Sequence, residues 1–133
     1  MHAFSLTHWS VLVVALMPIV CAGIAKYGMF GKPASAGGYD NREPRAWLAR
    51  QSAWRARANA AQANCFEALP FYIGAVVIAA QLGADAGRVD LLAAVYVLLR
   101  TVYIALYLGG WASLRSLVWT AALGVNIAIL FAA

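Results

Sequence analysis

The residues of this sequence that are best suited to chemistry are two ionisable side chains inside long apolar runs. Glu67 and Arg100 are each surrounded by alanine, leucine, valine and aromatic residues. A charged side chain at membrane depth costs about 3 kcal/mol unless it has a partner. At a rise of about 1.5 Å per residue, each charge lies about 14 Å along its apolar run, measured from the end that is nearest to most of the chain's basic residues. We therefore predict that Glu67 pairs with Arg100, within one chain or between neighbouring chains.

Other polar and aromatic residues repeat at helical spacing around these two charges. One face of the second apolar run carries Arg57, Asn64, Glu67 and Phe71, and one face of the third carries Tyr96, Arg100, Tyr103 and Tyr107. Together the two faces predict a polar, aromatic-lined interior that opens towards the basic end. Periodicity alone leaves two interpretations open, a binding site and an inert polar network that holds the helices together.

The elements that position these residues are four apolar helices. The chain has 133 residues, of which 64% are hydrophobic and 11% charged, and its mean hydropathy is +0.73. Four stretches, at about residues 9–30, 58–82, 89–108 and 114–132, are long enough to span a hydrocarbon core of about 30 Å. We predict an all-α integral membrane four-helix bundle that forms a single domain over residues 1–133.

The distribution of basic residues predicts the orientation of these helices. Six of the ten lysines and arginines lie between the first and second spans. Because loops rich in lysine and arginine stay in the cytoplasm, residues 31–57 are predicted to be cytoplasmic, with both termini on the outer side of a bacterial inner membrane. The net charge of +5 is explained by this topology and by anionic lipid headgroups, so the expected partners are membrane lipids and not nucleic acid.

Within this loop, residues 31–43 have the glycine, proline and serine content of a mobile connection. A helix is predicted from Pro44 onward. Trp47 and Trp54 are seven residues apart and are predicted to share one face. Two interpretations stay open, a segment that lies at the lipid headgroups and a direct contact with a ligand.

Cys21 and Cys65 both fall within predicted spans. Two cysteines in apolar helices indicate neither a disulfide framework nor a metal site. Both are therefore interpreted as small packing residues, with a local role for Cys65 beside its polar neighbours kept as the alternative.

Three segments resemble one known family. The string Asn64-Cys65-Phe66-Glu67-Ala68-Leu69-Pro70 fits an N-x-x-E-x-x-P pattern, and Arg100, Tyr103, Tyr107, Leu108 and Gly109, followed by Arg115 and Ser116, match the third helix and the turn after it. Residues 39–47 add a third match. On these residues the chain resembles the superfamily of membrane-associated proteins in eicosanoid and glutathione metabolism (MAPEG), and in particular an uncharacterised bacterial branch.

The resemblance implies a homotrimer that binds glutathione between adjacent subunits and takes a lipophilic small molecule from the bilayer. By position alone, Arg115 is an interfacial basic residue. By resemblance, Arg115 stabilises the glutathione thiolate and Ser116 hydrogen-bonds the sulfur. The implied glutathione-binding residues are Arg57, Asn64, Glu67, Arg100, Tyr103 and Tyr107. Some members have an arginine where this chain has Ala60, and Arg57 or Lys26 is the expected substitute.

The function that follows is a glutathione-dependent membrane transferase or peroxidase that acts on a lipophilic electrophile. The alternative is a non-catalytic lipid-binding or accessory membrane subunit of the same fold. A transporter is disfavoured, because four spans without internal repeats or broken helices offer no machinery for alternating access.

Overall fold

The computed structural model describes residues 4–133, and all of the regular structure in that range is helical. Its α-helices are α1 Leu6–Lys26, α2 Pro44–Ala49, α3 Ala53–Gln81, α4 Ala86–Gly109 and α5 Ala112–Leu130. All of these except the short α2 are long and apolar enough to cross a membrane, which confirms the predicted four-helix membrane fold. Residues 1–3 of the predicted domain lie outside the described part of the chain.

The helix ends differ from the limits that hydropathy predicts. Helix α1 ends at Lys26, before the predicted limit at Phe30, because Gly28 follows with a backbone φ of +74° that a helix cannot contain. Helix α3 begins at Ala53, before the predicted residue 58, and its first turns contain the arginines that an apolar criterion excludes. The apolar segment is therefore shorter than α3 at the end of the helix that contains the arginines.

The bundle is held by two close helix pairs, α1 with α3 and α4 with α5. Buried alanines such as Ala25, Ala58 and Ala61 lie between α1 and α3, and small side chains let helix backbones approach closely. In the middle of the bundle, the rings of Tyr72 and Tyr96 stack with centroids 4.3 Å apart and planes at 7°. This stack joins α3 to α4.

At the end of the bundle where α1 begins and α5 ends, polar contacts tie α1 and the residues after α5 to α4. Asp90 accepts hydrogen bonds from the backbone N–H of Thr7 at 2.8 Å and from the Thr7 hydroxyl. The Arg88 guanidinium donates to the Ala132 carbonyl at 3.2 Å. Asp85 caps α4 by accepting from the Arg88 backbone N–H at 2.8 Å.

At the opposite, basic end, two arginines of α3 bind the carboxyl ends of neighbouring helices. Arg55 donates to the Ala25 carbonyl of α1 at 2.8 Å, and Arg57 donates to the Leu108 carbonyl of α4 at 2.9 Å. The last carbonyls of a helix lack partners within the helix, so a cationic donor there supplies both a hydrogen bond and a favourable charge. These contacts hold the loop after α1 and the α4–α5 turn at the same end.

The predicted surface segment differs from the observed one. Helix α2 begins at Pro44 as predicted but ends at Ala49, so Trp47 and Trp54 lie on separate helices and do not share a face. Trp47 is only 3% exposed and donates its indole N–H to the Gly37 carbonyl at 3.2 Å, whereas Trp54 is 38% exposed beneath the Arg55 guanidinium. The prediction that Trp47 and Trp54 share one face is therefore wrong, and Trp47 instead packs the loop onto the bundle.

Candidate functional site

Most of the predicted site residues line two adjacent clefts between α3, α4 and α5. The first, which we call the Arg100 cleft, has a volume of about 170 Å³ and the second, the Arg115 cleft, about 420 Å³. Both are bordered by Asn64 and Trp119, so they adjoin. The Arg100 cleft also contains Glu67, Arg100 and Asn126, and the Arg115 cleft also contains Tyr103, Tyr107, Arg115, Ser116 and Thr120.

Glu67 and Arg100 line the same cleft but do not pair within the chain. Arg100 is 2% exposed and donates through Nη2 to Cys65 Sγ at 3.4 Å, while Glu67 is exposed and accepts a 3.4 Å hydrogen bond from the Asn64 amide. Glu67 follows Cys65 by two residues, about 200° around the helix, so it borders the cleft from the exposed side of α3 while Arg100 is directed at the buried Cys65. The predicted pairing within one chain is wrong, and pairing between neighbouring chains stays a prediction.

The Arg100 cleft contains two acceptors that no described residue satisfies. The side-chain oxygens of Asn64 and Asn126 are buried and have no hydrogen-bond partner within residues 4–133. An unsatisfied buried acceptor costs about 1–3 kcal/mol, and a ligand that donates hydrogen bonds removes that cost. From sequence, an amide inside an apolar span is interpreted as a helix-packing residue, so Asn126 was not predicted to line the site.

From the Arg100 cleft into the Arg115 cleft, cations and aromatic rings alternate along α4 towards α5. The Arg100 guanidinium carbon lies 4.4 Å from the Tyr103 ring centroid, and the Tyr103 and Tyr107 rings meet edge to face at 5.6 Å. The Arg115 guanidinium carbon then lies 4.2 Å from the Tyr107 ring centroid. Such cation–π contacts are worth about 0.5–2 kcal/mol each, so the rings hold both guanidinium groups in place.

The start of α5 adds a second positive feature to this cleft. Helix α5 begins at Ala112, and the preceding Trp111 provides no side-chain cap. Its first N–H groups therefore leave a partial positive charge near Arg115. Ser116 is exposed and its hydroxyl donates to the Ala112 carbonyl at 3.1 Å, so it must rotate before it donates to a ligand.

Arg57 is the predicted binding residue that lies outside the lining of both clefts. Its Nε is engaged by the Leu108 carbonyl, so it supports the α4–α5 turn that precedes Arg115. The other expected substitute for an arginine at Ala60 is Lys26, whose ammonium lies 4.5 Å from the Tyr39 ring centroid. Both cations therefore have structural contacts of their own.

Four membrane-spanning helices with polar clefts between α3, α4 and α5 define an integral, multi-pass helical membrane protein. The model of the MAPEG family matches residues 6–133, essentially the whole chain, and the protein therefore belongs to the MAPEG family. This family relates the chain to membrane proteins of glutathione and eicosanoid metabolism. Comparison with curated proteins gives no match, and comparison with solved structures gives none either.

Proposed function

We propose that this protein is a glutathione-dependent membrane transferase or peroxidase that acts on a lipophilic electrophile. The observation that carries the proposal is the position of Arg115, which lies against Tyr107 at the uncapped start of α5 and lines a cleft beside Asn64. A guanidinium and a helix N-terminus together form a site for an anion. The anion proposed here is the thiolate of glutathione.

The chemistry of the clefts fits the rest of glutathione. The peptide carries two carboxylates, one ammonium and two amide N–H groups. Arg100 provides a buried cation for a carboxylate, and Glu67 with the unpaired oxygens of Asn64 and Asn126 provides acceptors for the ammonium and the amides. Charged hydrogen bonds of this kind are the strong ones in a site.

The proposed mechanism begins with the formation of the thiolate. A free thiol has a pKa of about 8.5 and is mostly protonated at neutral pH, whereas an adjacent cation lowers that pKa. Arg115 supplies the cation, and Ser116 donates to the sulfur once its hydroxyl turns away from Ala112. The thiolate then attacks a substrate that enters from the bilayer, and with an electrophilic carbon a C–S bond forms as the leaving group departs. With a hydroperoxide, an S–O bond forms as the O–O bond breaks and the alcohol leaves, and a second glutathione then displaces water to give the disulfide.

The proposed assembly is a homotrimer in the inner membrane of a bacterium, with residues 31–57 in the cytoplasm. Glu67 and Phe66 lie on an exposed surface of α3 next to the Arg100 cleft. A neighbouring subunit against that surface encloses the cleft and gives Glu67 a partner.

The proposal is tested by measuring product formation. Purified protein in detergent is incubated with glutathione and either an activated aryl halide or cumene hydroperoxide. We expect glutathione conjugate in the first case, or cumyl alcohol with oxidised glutathione in the second, at rates above those of a protein-free control. If glutathione neither binds nor reacts while a lipophilic probe binds, the protein is instead a non-catalytic lipid-binding subunit.

A further inference from the structure

Two thiols belong to one buried cluster in the interior of the bundle, where α1 packs against α3. Cys21 and Cys65 are 1% and 2% exposed, and both are free. The same cluster contains Met17 and Ala61 and packs at the contact between α1 and α3. The glutathione chemistry proposed above uses neither thiol.

The Arg100 guanidinium distinguishes this pair from ordinary packed cysteines. Its Nη2 lies 3.4 Å from Cys65 Sγ, and within residues 4–133 this sulfur is the side-chain acceptor to which the guanidinium donates. A buried cation requires a counter-charge nearby. The thiolate of Cys65 can provide it, and the thiolate is the form of cysteine that acts as a nucleophile.

We propose that Cys21 and Cys65 are a redox-active dithiol that an organic hydroperoxide oxidises to a disulfide between α1 and α3. Arg100 connects the pair to the exterior, because the guanidinium that contacts Cys65 also lines the Arg100 cleft. The same cleft is bordered by Phe71 and Trp119, which are 38% and 40% exposed on the apolar surface of the bundle. An oxidant that enters the Arg100 cleft from this apolar surface must itself be lipophilic, so a lipophilic hydroperoxide is the class of oxidant that fits.

The reaction has two steps and needs no other reagent. In the first, the Cys65 thiolate attacks the terminal oxygen of the hydroperoxide, an S–O bond forms, the O–O bond breaks, and the alkoxide takes a proton and leaves as an alcohol. In the second, the Cys21 sulfur attacks the sulfenic sulfur of Cys65, the S–S bond forms, and the hydroxyl leaves as water with the proton of Cys21. Two thiols are oxidised and one hydroperoxide is reduced.

Cys65 is the attacking thiol in this scheme because the guanidinium contacts its sulfur. Cys21 resolves the intermediate because it is the other thiol of the same buried cluster. The two residues therefore have distinct roles, which separate substitutions can tell apart.

The test treats the purified full-length protein, without glutathione, with one equivalent of cumene hydroperoxide. We expect one equivalent of cumyl alcohol, loss of both thiols, and a chain mass lower by about 2 Da that a dithiol reductant restores. Peptide mapping must show a Cys21–Cys65 disulfide within one chain. If both thiols survive in the folded protein while the denatured protein reacts, or if the disulfides join different chains, the proposal is wrong.

Two matched variants test the order of the steps. Cys21→Ser should stop at a sulfenic acid on Cys65, seen as a mass gain of about 16 Da that a dimedone-type reagent traps. Cys65→Ser should leave Cys21 unreacted at the same dose. If the single remaining cysteine is oxidised equally in both variants, Arg100 does not make Cys65 the more reactive thiol, and the assignment of Cys65 as the attacking thiol is overturned. Because these assays need no glutathione, their failure leaves the proposed transferase function untouched.

Discussion

At the residue scale, the contact that matters most is the one between Arg115 and Tyr107. A long, partly exposed arginine side chain has many rotamers, and ordering it costs about 2 kcal/mol of conformational free energy. The Tyr107 ring, which lies 4.2 Å from the guanidinium carbon, offsets part of that cost. The cation is therefore held near the start of α5 before any ligand arrives.

The proposed role of Arg115 predicts a graded response to substitution. We expect Arg115→Ala to lower the rate of conjugation by about tenfold to a hundredfold, equivalent to about 1.4–2.8 kcal/mol of transition-state stabilisation. The pKa of the bound glutathione thiol should rise, because the adjacent cation is gone. Arg115→Lys should keep part of the rate, since the charge survives without the planar guanidinium. The measurement is the pH dependence of the conjugation rate.

Arg50→Ala is the matched control, because Arg50 is an exposed arginine at the basic end and lines neither cleft. It should leave the pH profile unchanged. A folded Arg115→Ala variant with the parental rate and profile would contradict the role assigned to Arg115.

The sequence allowed most of these residues to be predicted as neighbours, but not their contacts. Helical spacing places Asn64 and Glu67 on one face of α3 and Tyr103 and Tyr107 on one face of α4, and the structure has these residues lining the two clefts. Matched depth along the membrane says nothing about the direction in which a side chain points around its helix. That missing angle is why Glu67 was wrongly paired with Arg100 inside one chain.

At the scale of elements, the first turns of α3 organise the basic end of the bundle. Arg55 and Arg57 are two residues apart, so their side chains leave the helix in nearly opposite directions. One binds the carboxyl end of α1 and the other that of α4. Hydropathy could not predict this, because the apolar segment begins beyond both arginines and the partners are backbone carbonyls without a sequence signal.

These contacts predict a measurable stability effect. Arg57→Ala removes a charged hydrogen bond to the Leu108 carbonyl, and we expect it to lower the free energy of unfolding by about 1–2 kcal/mol. Thermal unfolding in detergent should show a lower midpoint, while Arg50→Ala should keep the parental one. Identical midpoints for parent and Arg57→Ala would show that the contact with Leu108 adds no stability.

At the scale of the whole molecule, the bundle has an apolar outer surface and two polar ends. Side chains such as Ile19, Leu98 and Leu117 are more than half exposed, as expected of a surface that faces lipid. One end holds the start of α1, the end of α5 and the α3–α4 connection. The other holds the basic loop and the α4–α5 turn next to the Arg115 cleft. Hydropathy was enough to predict four membrane-spanning helices from the sequence, because each span is a long apolar run.

The charge asymmetry between the ends predicts the orientation in the membrane. A thiol introduced by Asp40→Cys should react with an impermeant maleimide only when the cytoplasmic face is accessible, as in inverted vesicles. A thiol introduced by Leu82→Cys, at the opposite end, should react in intact cells. The native cysteines are buried and give little background. Labelling of position 40, and not of position 82, from outside intact cells would reverse the orientation.

The central claim is that this protein binds glutathione as a thiolate beside Arg115, and one equilibrium measurement tests it most directly. Purified protein in detergent is titrated with glutathione while thiolate absorbance is followed in the ultraviolet, and the titration is repeated with the analogue in which serine replaces the cysteine. We predict saturable binding of both peptides and a thiolate signal with glutathione alone, at a pH well below the thiol's ordinary value of about 8.5. The absence of saturable binding, or binding of glutathione without any thiolate signal, would contradict the account.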